Sequence, residues 1–343
     1  MRAVFVASRL TDHDGVSVEL RKWAAAFGRL GFELATVAGS GPADRIVAGL
    51  GASGEGAFDD EATLEAALAD ADLVVVENLC SLPLHPAAAD AVARCLRHRP
   101  AILHHHDLAW QRPHLAHIDR FPPDDAAWAH VTINHLSRDQ LALRGISATT
   151  IHNCFDTYAP PGNRATARAA MDMRAGQLVL LHPTRAIPRK NVPAALALAE
   201  ALAATYWLLG PPEDGYGDEL DRLLNDTSAP VRQGLPAGIT LADAFAACDA
   251  VTLPSSWEGF GNATVESAIH RRPLAIGRYP VAAEIAAYGF RWFPADDPEP
   301  LASWLASPEP SLLDHNRQTA RRLSLDELRR QLSQLINARG WAP

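Results

Sequence analysis

Short, wholly apolar runs alternate along this chain with longer stretches of helical period. Residues 3–7, 32–37, 73–76, 101–103, 128–136 and 149–153 form such runs in the first half, and 178–181, 206–209, 231–235 and 250–253 in the second. Runs without polar alternation predict strands covered on both faces, as in parallel sheets. Between them, residues 16–28, 59–69, 87–97 and 138–143 read as helices, as do a segment starting at Val192, residues 239–247 and residues 263–269. In 16–28, Val18, Trp23, Ala26 and Phe27 mix with Glu19, Arg21 and Lys22; in 324–338, Leu325, Leu328, Leu332, Leu335 and Ile336 keep the 3.6-residue period. Strand, loop, helix and strand make a βαβ unit. Residues 39–56 are Gly- and Ala-rich and read as loop and short helix. Pro160-Pro161-Gly162, inside 157–164, interrupts both periods and marks a linker. The pattern predicts an α/β protein of two doubly wound, Rossmann-like domains, residues 1–158 and 165–323.

Composition narrows the function. A chain of 343 residues, 48% hydrophobic, suffices for two cores. Its net charge of −9 argues against a nucleic-acid partner, which needs a basic face. Basic clusters at Arg21-Lys22 and 94–99 read as solvated helix faces, so peripheral membrane contact is not expected. Cys80, Cys95, Cys154 and Cys248 are scattered and form no C-x-x-C pair, which suits free thiols in a reducing compartment. The chain opens on a strand with no signal peptide, and no apolar stretch nears the ~20 residues of a spanning helix. A cytoplasmic location is therefore expected. The first βα turn has no G-x-G-x-x-G, which removes the fingerprint of a nicotinamide site.

The candidate chemistry centres on the loop 254–262. It joins a predicted strand to a helix whose N-cap is Gly261 or Asn262. A helix start offers unpaired amides to a phosphate, and Gly259 and Gly261 permit close approach by a ligand. Glu258 lies in the loop and Glu266 in the helix, eight positions later. Carboxylates accept from hydroxyls, so two of them around a phosphate seat suit a nucleotide sugar. The plainer alternative is a loop with a solvated glutamate and an ordinary helical one. His104, His105 and His106 end a strand, with Glu77 and Asn78 at the end of the strand before. Strand alternation sends His105 away from its neighbours, so no metal site is expected. Glu77 and Asn78 read as loop residues. Trp110, Gln111, Arg112 and His114 follow in a loop of the kind that selects acceptors.

Pro254-Ser255-x-x-Glu258-Gly259-Phe260-Gly261, with Glu266 beyond, resembles the E-x7-E signature of glycosyltransferase family 4, retaining enzymes of GT-B fold. The resemblance continues through Arg271-Arg272-Pro273 to Glu284-Ile285. Upstream, Arg185-x-x-x-x-Lys190-Asn191 resembles the family's Arg-to-Lys segment, Asn134 and Ser137 its cleft-lining Asn-Ser, and Asn153-Cys154-Phe155-Asp156 its Asn-Gly-Val-Asp with Cys in place of Gly. It implies two domains facing an interdomain cleft, with a final helix at about 324–343 crossing back onto the first. It implies transfer of a hexosyl group, with retention, from a nucleoside diphosphate sugar of UDP-glucose or GDP-mannose type to a hydroxyl of a small-molecule or carbohydrate acceptor. No cofactor is implied.

By the same resemblance Glu266 binds ribose and Glu258 the hexose. The backbone of Phe260, Gly261, Asn262, Ala263 and Thr264 holds the sugar and β-phosphate. Arg185 and Lys190 neutralise the leaving diphosphate, where fixed cations lower the barrier, while Arg189 reads as a solvated neighbour. His106 contacts the hexose near the anomeric carbon. Gly210, Arg232 and Leu235 lie by the base. Gly15 sits near the phosphates, though Asp14-Gly15 stands where relatives often have Gly-Gly, and a plain turn glycine is the alternative. A nucleotide-sugar 2-epimerase of this fold, which lacks the glutamate pair, and a catalytically silent nucleotide-sugar-binding subunit are the competing readings.

Overall fold

The computed structural model describes residues 1–11, 14–51 and 56–343, the side chain of His114 excepted. Parts of the expected loops at 8–15 and 39–56 therefore lie outside the described residues. The chain forms two compact units, one of residues 1–154 with 325–343 and one of 155–324. The division thus falls at Cys154–Phe155, just before the Pro-Pro-Gly stretch, and the last helix belongs to the first unit.

In the first unit, β1 (Arg2–Ala7), β2 (Glu33–Ala38), β3 (Arg45–Ile46), β4 (Leu73–Glu77), β5 (Ala101–His105), β6 (Trp128–Thr132) and β7 (Ala148–Thr150) form one parallel sheet in the order β3-β2-β1-β4-β5-β6-β7. Its helices are α1 (Gly15–Arg29), α2 (Glu61–Leu68), α3 (Pro86–Leu96) and α4 (His135–Ala142). Side chains alternate between two cores. Val4, Val6, Val74, Val76 and Leu103 pack with Leu64, Leu68, Val92 and Leu96. Ala3, Phe5, Val75 and Ile102 pack with Leu20, Trp23 and Phe27. Burying a side chain of this size contributes ~1.5–3 kcal/mol, and strands covered on both faces need apolar residues at every position, which is why the runs lack alternation.

In the second unit, β8 (Val179–His182), β9 (Thr205–Leu208), β10 (Val231–Gln233), β11 (Ala250–Leu253), β12 (Leu274–Ile276) and β13 (Phe293–Pro294) run β10-β9-β8-β11-β12-β13. Its helices are α5 (Arg164–Ala170), α6 (Val192–Ala201), α7 (Gly217–Asp226), α8 (Leu241–Ala247), α9 (Ala263–Ile269), α10 (Pro280–Ala286), α11 (Glu299–Ala306) and α12 (Pro310–Ala320). Leu180, Tyr206, Leu208 and Ala250 pack under Val192, Leu196 and Leu220. The terminal helix α13 (Leu325–Ala338) buries Leu328, Leu332 and Ile336 against the first unit's core beside Trp23 and Phe27.

Pattern reading located β11 and α9 to the residue. Elsewhere element ends moved by up to four positions, partly because caps end helices where propensity does not. Asp14 Oδ1 accepts from Ser17 N at the start of α1, and Thr240 and Asp243 form a reciprocal box at α8. Strand β5 extends further than the apolar run, to His105. No helix of the described residues is long and apolar enough to cross a membrane.

Candidate functional site

In each sheet the strand order reverses once, between β1 and β4 and between β8 and β11. Ligands of open α/β sheets gather at the carboxyl ends of strands at such points. In the second unit the loops leaving β8 and β11 are 183–191 and 254–262, and a main-chain bond and a side-chain bond join them. Ser256 N donates to Arg189 O at 2.9 Å, and Asn191 Nδ2 donates to Pro254 O at 3.3 Å. Asn191 itself is left-handed (φ 54°), ending the short turn Pro188–Lys190 and starting α6.

This junction gathers a buried ionic cluster. Lys190 Nζ lies 2.5 Å from Glu258 Oε1, Arg189 NH1 lies 2.9 Å from Oε2, and Ser255 Oγ donates to Oε1 at 2.6 Å. Arg189 NH1 also donates to Trp257 O at 2.9 Å. Arg189 is thus no solvated neighbour, as its sequence position suggested. Both its main chain and its guanidinium hold the 254–258 loop. Burial disfavours the charge on Glu258, but Lys190 and Arg189 outweigh it and hold the carboxyl at about 2. Burial lowers the Lys190 ammonium, with Glu258 opposing. One pair in a low-dielectric setting barely repays its desolvation; here two cations and a hydroxyl share one carboxylate. His182, the last residue of β8, is buried beside them with Nδ1 2.8 Å from Tyr206 Oη. Burial and then Lys190 push its imidazole down to about 3, so it is neutral.

The rest of the loop is shaped by close packing. Gly261 takes φ 88°, and a Cβ there would sit 2.3 Å from Tyr279 Oη, which donates to Phe260 O at 3.2 Å. Asn262 is the N-cap of α9, a helix of only seven residues. Its Thr264 amide donates to Gly261 O, and the Val265 and Glu266 amides to Asn262 O. The amides of the helix start expected to seat a phosphate are therefore partly engaged by their own turn. Ala263 is buried, and Glu266 lies half-buried in the first turn.

Other predicted residues make their direct contacts outside this cluster, though the Arg185 charge reaches Lys190 and helps to lower it. Arg185 NH1 pairs with Glu213 Oε2 at 2.6 Å, both about one-third exposed. Gly210 packs on the Arg185 backbone, where a Cβ would meet Cα at 2.5 Å. Arg232 donates to Met171 O and Val231 O, bracing the end of α5. Leu235 is exposed beyond β10. Gly15 is the first residue of α1, and a Cβ there would meet nothing within 4 Å, so packing does not require glycine.

The first unit has a second buried cluster, at the ends of β4 and β5. Glu77 is buried, and its Oε2 accepts from both His104 Nδ1 and His106 Nε2, each at 2.8 Å. Asn78, left-handed at φ 60°, accepts the His106 and Asp107 amides on Oδ1 at 3.0 Å. Glu77 thus lies in the strand, not in the loop its sequence position suggested, while Asn78 does open the loop, and both orient this strand end. A carboxylate ending one β-strand beside a histidine ending the next was the available signal. His104 stacks on Trp23 with centroids 3.9 Å apart, while His105 turns to the other face and meets His130 at 2.9 Å. Burial raises the Glu77 carboxyl, but His104 and His106 prevail and hold it at about 2. Burial lowers His104 and lowers His105 strongly; at His106 the Glu77 bond and charge outweigh burial, and the imidazole is raised.

The three donor atoms of Glu77, His104 and His106 lie within 4.8 Å of one another. Those atoms are already hydrogen-bonded together, and His104 Nε2 is buried without the outer partner that a metal-bound imidazole carries. The cluster fits a proton-sharing group better than a metal centre. In the loop that follows, Trp110 Nε1 and Gln111 Nε2 both donate to Gln140 Oε1 at 2.9 Å, and Arg112 pairs with Asp107 at 2.8 Å. Asn134 caps α4 by accepting from Ser137 N at 2.6 Å.

With this geometry established, similarity to known proteins gives it context. No family model matches the chain. It is 25% identical over 256 residues, 64% of its length, to mannosylglucosylglycerate synthase of Thermotoga maritima, and 25% identical over 272 residues to the same-named protein of Petrotoga mobilis. The chain spans 60% and 63% of those two relatives. Anabaena HepE in complex with UDP-glucose superposes with a TM-score of 0.74 at 18% identity, covering 98% of this chain and 100% of that one. Sucrose-phosphate synthase of Thermosynechococcus elongatus does so with 0.74 at 14% identity, over 98% and 99%. WaaG, a glycosyltransferase involved in lipopolysaccharide biosynthesis, gives 0.66 at 15%, over 97% and 99%. The fold is GT-B. At these identities the likeness is of fold, two parallel-sheet α/β domains in one chain, and the chemistry must be argued from the side chains.

Proposed function

We propose that this protein is a retaining glycosyltransferase of family 4 type that moves a hexosyl group from a nucleoside diphosphate sugar to a hydroxyl of a small-molecule or carbohydrate acceptor. The observation that carries the reading is the cluster Lys190–Glu258–Arg189, assembled from two loops at the β8/β11 reversal and buried with two cations around one carboxylate. A departing nucleoside diphosphate gains negative charge, and cations already in place beside it stabilise that charge without reorganisation. Lys190 and Arg189 are held on Glu258, and Arg185 precedes them in the same loop. Glu258 accepts hydroxyls of the hexose, and Glu266 those of the ribose. No resident cofactor is required, because these side chains supply the charge.

The relatives support the substrate class. Two are named for making a mannosylated glucosylglycerate, and one neighbour holds UDP-glucose. Donors of UDP-glucose and GDP-mannose type both remain in this reading. The test incubates the full chain with each donor, with and without glucosylglycerate, and follows nucleoside diphosphate release and the anomeric configuration of the product by NMR. Acceptor-dependent release with a retained anomer is expected. Binding without release would make the protein a silent binding subunit, and a donor recovered with inverted C2 would make it an epimerase.

A further inference from the structure

We propose that Glu77 is the positioning residue of His106: its buried carboxylate takes the ring's Nε2 and so leaves Nδ1 as the nitrogen offered to a ligand. For its consequence in catalysis this rests on the function proposed above; as a statement about the first unit it does not.

Three observations carry it. Glu77 Oε2 accepts from His106 Nε2 at 2.8 Å, and the same oxygen accepts from His104 Nδ1 at 2.8 Å. Both imidazoles therefore point protons inward, and each ring's free nitrogen is the other one. The two differ in what surrounds that nitrogen. His104 Nε2 is fully buried without a partner under Trp23, so a second proton there would be unsolvated. His106 Nδ1 makes no hydrogen bond among the described residues and is not among the wholly buried unpartnered atoms. Asn78 then anchors the His106 main chain through its amide at 3.0 Å. One carboxylate thus holds a histidine with a sealed nitrogen behind and one with an open nitrogen in front.

The charged and titratable groups around His106 agree. From β4 comes Glu77, from β5 His104, from the following turn Asp107, and from α1 Glu19, itself buried and paired with Lys22 Nζ at 2.6 Å. The carboxylates outnumber the cations, so the protonated ring is favoured despite its burial. A protonated Nδ1–H donates a charge-assisted bond. The ligand group it suits is an acceptor of such a bond: a phosphate, a carboxylate or the ring-side oxygens of a sugar, never a donor.

Imidazole nitrogens of the full-length protein, labelled with 15N-histidine and free of nucleotide, decide the matter by NMR titration. In the wild type His106 is expected to carry its proton on Nε2 when neutral and to titrate above the ordinary 6.5, with His104 a neutral Nδ1–H tautomer. In Glu77→Gln the His106 midpoint falls below 6.5, and Glu77→Asp restores part of the difference. A wild-type His106 whose neutral form carries its proton on Nδ1 overturns the proposal, as does a midpoint unmoved by Glu77→Gln. If Glu77→Gln fails to fold, the wild-type tautomers alone decide. Stoichiometric Zn2+ retained after dialysis and lost in His104→Ala would also overturn it, since Glu77 would then serve an ion. None of these readings depends on glycosyl transfer, so failure of the proposed activity is seen separately.

Discussion

Each unit places one deeply buried glutamate at a strand reversal, and each carboxyl is held at about 2, yet the two are secured by different chemistry. Glu258 is paired with a lysine and an arginine, residue types whose ordinary values lie far above neutrality. Glu77 is paired with two imidazoles, of which His104 is lowered by burial and His106 is raised by the carboxylate. The first arrangement is a fixed electrostatic device suited to a phosphate. The second is a device whose state depends on pH and on what approaches it. Carboxylate burial alone therefore says little about role; the partner decides.

The comparison can be broken most severely at Lys190. Lys190→Met leaves Glu258 buried with one cation and removes charge beside the leaving group. A loss of about 100- to 1000-fold in turnover is expected, together with ~3–5 kcal/mol of stability as a buried ion loses its partner. Turnover on the proposed donors and urea unfolding read the two effects. Retained turnover would remove Lys190 from the site.

The contrast between clusters is sharpened by pH. Glu77 has a depressed carboxyl, so its contribution is complete above the ordinary 4.5 and is lost as pH falls toward 2. His106 is raised, so its contribution is complete below 6.5 and is lost as pH rises through its folded value. The wild-type advantage over Glu77→Gln should therefore peak between pH 4.5 and 6.5 and shrink above it. The advantage over Glu258→Gln should stay level from pH 5 to 8, since lysine and arginine ordinarily titrate far above that range. Urea midpoints across this range test both; parallel curves would erase the distinction. Superimposed on them, His182 at about 3 and His270 at about 4 are neutral when folded, so all variants should weaken as pH falls below 6.5.

The smallest effect on stability is expected at Arg185. Its pair with Glu213 is one-third exposed on both sides, a class worth ~0–1 kcal/mol. Arg185→Ala should leave the urea midpoint nearly unchanged while weakening nucleoside diphosphate binding, measured by calorimetry. A large loss of stability would mean that the arginine serves the fold.

Much of this protein is determined by sequence alone. Apolar continuity in 3–7, 73–76 and 250–253 dictates strands covered on both faces, because only a sheet flanked by helices can hide such runs. The period of 324–338 dictates an amphipathic helix. The arginine, lysine and glutamates of the candidate site were legible as types, since anion and hydroxyl binding need those groups. Pairing was not. Arg189 and Glu258 are 69 positions apart and Glu77 and His106 are 29 apart, and only parallel strand order sets the loops that carry them side by side. That order assigned Arg189 to the cluster, sent Arg185 to Glu213 and Arg232 to the end of α5, and turned two unremarkable strand-end residues, Glu77 and Asn78, into the frame of a histidine. A pattern of apolar positions reports what each segment must hide, and it is silent about which polar ends then meet.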